Sequence, residues 1–89
     1  MTTFDRDTLR ALADEGNELA LDRLADLADA GDNTDELSEL LDEGSMHAGE
    51  LLTRRALARA DLGELQRIWD AGYDGAGREL NRLLAAPDG

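Results

Sequence analysis

Apolar residues along this chain recur at helical spacing, and the recurrence itself repeats. Leu9, Leu12 and Ala13 form a stripe at i, i+3, i+4, closed three residues later by Gly16. The arrangement returns at Leu37, Leu40, Leu41 and Gly44, and again at Leu65, Ile68, Trp69 and Gly72. That spacing is one face of a helix. Glycine suits the residue just past a helix C-terminus, where φ is positive. A longer apolar face follows each glycine: Ala20, Leu24, Leu27 and Ala28; then Ala48, Leu52 and Ala56; then Ala76, Leu80, Leu83 and Leu84. Sliding the chain by 28 residues superimposes these positions and aligns Asp14 with Asp42 and Asp70, and Ala30 with Ala58 and Ala86. The chain therefore divides into units 5–32, 33–60 and 61–88 of one domain, 1–89.

The polar positions supply the helix starts. Asn33-x-x-Glu36 and Asp61-x-x-Glu64 are capping boxes in corresponding places, and Asp5-x-x-Thr8 is a weaker version. Asn17 and Ser45 suit the N-caps of the longer helices; in the third unit Asp74 is expected to take that role in place of Tyr73. Pro87 is expected to stop the last helix. The predicted helices are 5–14, 18–30, 34–43, 46–59, 62–71 and 74–86. Neither helix of a unit can bury its stripe alone, so neighbouring units must stack. Ala20, Ala48 and Ala76 would let helix backbones approach closely. The expected fold is all-α: three tandem helix-turn-helix units forming a short α-solenoid or compact helical array.

Composition agrees. The apolar residues are mostly Leu and Ala, which favour helix, and the strand-favouring aromatics are limited to Phe4, Trp69 and Tyr73. The absence of cysteine excludes disulfides and thiolate chemistry. No apolar run approaches the ~20 residues of a membrane span, and the first residues lack a secretory pattern. A cytoplasmic protein is expected. All nine cations are Arg, which a GC-rich bacterial genome explains more simply than a halophilic one.

The run Leu24-Ala25-Asp26-Leu27-Ala28-Asp29-Ala30-Gly31-Asp32, followed by Glu36-Leu37-Ser38-Glu39-Leu40-Leu41-Asp42-Glu43-Gly44, resembles the short tetratricopeptide-like repeats of uncharacterised actinobacterial proteins, in the style of Sel1 and HEAT arrays. So does Ala58-Arg59-Ala60-Asp61-Leu62-Gly63-Glu64-Leu65. The resemblance covers nearly the whole chain and implies a protein-binding array. The period of 28 departs from the roughly 34 residues of a tetratricopeptide unit. The first two units also lack its aromatics and closing Pro, so no peptide-clamp residues carry over.

Candidate chemistry is sparse. His47, with Glu43 and Glu50, sits at helical spacing, but its repeat equivalents are Leu19 and Gly75. Metal sites need several converging ligands, so a surface or helix-start role is expected. Gly72-Tyr73-Asp74-Gly75-Ala76-Gly77 lacks the strand and Lys of a phosphate loop. Gly49 and Gly77 share a column with Leu21, which points to close helix packing. No catalytic residue, cofactor or metal is expected, and the chain reads as non-enzymatic. Trp69 is expected in the core and Tyr73 as an exposed contact.

The net charge is −12. It opposes direct binding to nucleic acid, which needs clustered cations, or to anionic lipid. Residues 1–44 carry 14 acids and 3 Arg, net −11, and residues 45–89 carry 7 acids and 6 Arg, net −1. Asp22, Asp26 and Asp29 form a stripe along one helix, expected as a solvated acidic face. Asp26 aligns with Arg54 one unit on, so a cross-unit pair between them is expected. Asp14, Asp42 and Asp70 recur at short-helix ends, for a turn or an inter-unit hydrogen bond. The expected function is a protein–protein interaction module for a partner with a basic surface, with Asp22, Asp26, Asp29 and Tyr73 as the contact residues. The alternatives are an acidic DNA mimic that inhibits a nucleic-acid-binding protein, and a self-associating piece of a longer array.

Overall fold

A computed structural model describes residues 5–86. Six helices run in order: α1 (Arg6–Asp14), α2 (Glu18–Ala30), α3 (Thr34–Asp42), α4 (Met46–Ala58), α5 (Leu62–Asp70) and α6 (Asp74–Ala85), with no strand among the described residues. The predicted all-α array is the observed one, and each predicted boundary lies within a residue of the observed one. Pro87 lies outside the described residues.

The turns explain the period. Each short helix ends in a Schellman motif. Asn17 N–H donates to the Leu12 carbonyl (3.0 Å) while Gly16 N–H donates to Ala13 (2.9 Å), and Ser45 and Gly44 repeat this at Leu40 and Leu41. The residue after the left-handed position is at once the N-cap of the next helix. Side chains of Asp5, Asn17, Asn33, Ser45 and Asp61 each accept a backbone N–H three residues on. Nine helical residues, a three-residue turn, thirteen helical residues and another three-residue turn make one repeat. The left-handed residue is Gly16, Gly44 or Gly72 after a short helix (φ 94°, 108° and 112°), but Asp32 (φ 54°) and Ala60 (φ 51°) after α2 and α4. Ala60 thus holds a conformation that a Cβ disfavours.

Tyr73, rather than Asp74, is the last N-cap, and it makes no side-chain cap bond; Asp74 is already helical. What Tyr73 does instead is pack. A Cβ at Gly49 would lie 2.6 Å from Tyr73 Cγ, so the ring occupies the space that any larger residue on α4 would need.

Each short helix packs on the long helix of its own unit, and each long helix packs on both helices of the next. The array is elongated, 50 × 23 × 19 Å. Leu37, Leu65, Ile68, Ala25, Ala48 and Ala76 are fully buried along its length. Ala20, Ala48 and Ala76, the recurring alanine column, are all buried. Three expected core residues do not reach the core: Leu27 is 41% exposed, Leu84 65% and Trp69 37%. Leu27 and Leu84 lie in columns that inner units cover with a neighbour. The Trp69 ring covers Gly77, on the outside of the last unit.

Candidate interaction surface

The structure places Asp22, Asp26 and Asp29 on the α2 side that meets α4, and each has an α4 partner. Ser45 Oγ donates to Asp22 at 3.0 Å while accepting the Ala48 N–H at 3.0 Å, so one buried hydroxyl caps α4 and ties it to α2. His47 Nε2 lies 2.5 Å from Asp26 Oδ1. Arg55 Nε donates to Asp29 at 2.7 Å, and its Nη2 reaches the Asp29 carbonyl (2.7 Å) and Asp32 (2.8 Å). Those bonds stabilise the cation and raise the Arg55 pKa above its usual value. The stripe is therefore a seam between units. The cross-unit pair expected between Asp26 and Arg54 does not form: Arg54 turns along its own helix to Glu50, and His47 takes its place. Tyr73 is half-buried against the core rather than an open contact.

The short helices are linked by long side chains. Arg6 pairs with Glu36, both Glu43 oxygens accept from Arg10 at 2.8 Å, and Arg67 donates to Ser38 at 3.0 Å. The pairs from Arg6 and Arg10 close over a groove of about 220 Å³ between α1 and α3. Hydrogen bonding to Glu43 and to Glu64 raises the pKa of Arg10 and of Arg67 respectively.

A second run of exposed carboxylates lies on the short helices, on the side turned away from the core. Asp35, Glu39 and Asp42, at i, i+4, i+7 on α3, are exposed, as are Asp7 and Asp14 on α1. Among these, Asp14 alone has a cation within ion-pair range, Arg10 at 3.8 Å. The recurring Asp14, Asp42 and Asp70 belong to this outer row. Asp70 accepts from Gln66 on its own helix at 2.9 Å, and none of the three makes an inter-unit hydrogen bond. The stripe on α3 was visible as spacing. What hid it was the similar spacing on α2, which only packing distinguishes. Among the described residues no three His, Asp or Glu side chains converge on a metal position, and no helix is long and apolar enough to cross a membrane.

The fold and surface define an all-α array of three helix-pair repeats. No family model, no curated protein and no solved structure matches the chain.

Proposed function

We propose that the chain is a non-enzymatic, tetratricopeptide-like interaction module whose outer short-helix row engages a protein with a basic surface. The observation that carries this reading is the exposed stripe of Asp35, Glu39 and Asp42, continued by Asp7 and Asp14 on α1. Clustered charge of one sign steers an opposite partner and raises its association rate. Asp22, Asp26 and Asp29, the contacts expected from sequence, contribute indirectly here, by fixing the register of the units that align the outer row.

The test is retention of a specific protein from source lysate by the immobilised chain, compared with the D35K/E39K/D42K variant. Loss of that protein on reversal, and its release by raised salt, is the expected result. Equal retention by both chains overturns the reading. Displacement of the retained protein by duplex DNA would identify the partner as a nucleic-acid-binding protein.

A further inference from the structure

The two ends of the array are built from the same columns as its inner seams, and each leaves large apolar residues open: Leu84 at one end, Leu19 and Leu27 at the other. Solenoid ends ordinarily carry a polar outer face, which keeps them from stacking further. At the C-terminal end, Ala28 and Ala56 are 1% and 2% exposed beneath the following unit, while their equivalent Leu84 is 65% exposed. The neighbouring column, Ala25, Thr53 and Asn81, is likewise buried twice and exposed in the last unit. At the N-terminal end, Leu12 and Arg23 border an open groove, whereas their equivalents Leu40 and Leu51 are buried. That groove, about 250 Å³, is lined by Leu9, Leu12, Asn17, Leu19, Ala20 and Arg23. Leu19 is 77% exposed, and Leu27 is also open; their equivalents His47 and Arg55 make the polar bonds of the α2–α4 seam.

We propose that the occupant of each end is a second copy of this chain, stacked head to tail, with Leu84 of one copy seated in the Leu9–Leu12–Leu19 groove of the next. The register is the one the chain already uses between its own units, so the contact continues an existing interface. Leu84 is larger than the alanines it replaces, and the groove is open among the described residues. Charge at one point favours the same polarity: Asp22 shares a cleft with Met46 at the inner seam, and their equivalents across the proposed contact are Arg78 and Glu18. Arg82 is already paired with Glu79 on its own helix. Such a contact is heterologous, so it grows beyond a dimer unless one end is blocked. It uses none of the outer-row carboxylates, so it stands or falls separately from the acidic-surface reading.

Sedimentation velocity on the full chain and two variants tests it. Leu19 and Leu84 are exposed, so Leu19→Glu and Leu84→Glu should leave helical circular dichroism and the unfolding midpoint unchanged, which is checked first. The wild type should show a mass that rises with concentration past two protomers. Each variant alone should be monomeric, and a one-to-one mixture of the two should form a dimer and nothing larger, because one open end survives on each. Leu84→Ala should weaken association roughly tenfold, as expected from losing part of a buried leucine. A wild type that stays monomeric to millimolar concentration overturns the proposal. So does a single variant that still dimerises, or a mixture that does not.

Discussion

Tyr73 and Gly49 form a size-matched pair across the seam between the second and third units: a Cβ at position 49 would fall 2.6 Å from Tyr73 Cγ and 2.9 Å from its Cβ. One repeat earlier the same two columns hold Leu21 and Ser45, with large and small exchanged. The match also explains an N-cap without a capping side chain. Gly49→Ala should destabilise the protein by about 1–2 kcal/mol, because overpacking outweighs the propensity gained by alanine in a helix. Tyr73→Ser, which copies the second unit and restores a cap, should relieve much of that loss in the double variant. Urea unfolding of the four-member cycle measures the coupling, and strictly additive effects would show that the pair does not interact.

The left-handed turn residues should respond in opposite directions. Ala60→Gly should stabilise by about 1 kcal/mol, since φ is 51° there and glycine adopts it without steric cost. Gly16→Ala and Gly72→Ala should each destabilise by about 1 kcal/mol for the converse reason, although nothing lies near the added methyl. Thermal unfolding of the three variants, read as shifts of opposite sign, checks this.

Ser45 is 2% exposed, caps α4 and donates to Asp22. Ser45→Ala should cost about 2 kcal/mol, combining a lost cap with a carboxylate left short of a donor. Asn17→Ala, at the exposed equivalent, should cost about 1 kcal/mol or less. Equal effects at the two sites would mean that the hydroxyl bond to Asp22 contributes nothing.

The two acidic stripes should separate in stability. Reversing Asp22, Asp26 and Asp29 to lysine places cations against His47 and Arg55 and should lower the unfolding midpoint. Reversing Asp35, Glu39 and Asp42 should hold or raise it, because it reduces net repulsion. Midpoints measured at low and high salt distinguish them, with the seam variant alone showing a clear loss.

The backbone and side-chain hydrogen bonds from Thr8 hold the Asp5 carboxyl below its usual pKa. A depressed folded pKa means that the carboxylate favours the native state above its unfolded value of about 3.9, and that this help is lost as pH falls through the lower folded value. Carbon-detected NMR titration should find the Asp5 midpoint below the ordinary aspartate range. Thr8→Val should move it upward, by removing the side-chain bond and leaving the backbone one.

The repeat, the six helices and, apart from the Tyr73 cap, the helix starts can be read from the chain alone. These are local matters: apolar spacing sets the face, an Asn, Ser or Asp side chain takes up the orphan N–H groups, and glycine permits the reversal. The Gly49 and Gly77 column was also legible as a packing device, because a glycine inside a helical pattern needs a close neighbour to justify it. Which acidic stripe is a surface depends on packing between units. Asp22, Asp26 and Asp29 on α2 and Asp35, Glu39 and Asp42 on α3 have the same i, i+4, i+7 spacing, but the long helices lie side by side and the short ones meet only through long side chains. The first stripe therefore became a seam and the second stayed open. The same cause placed Leu84 in solvent and Ala28 in the core, since burial at those positions depends on a neighbouring unit and not on the residue itself.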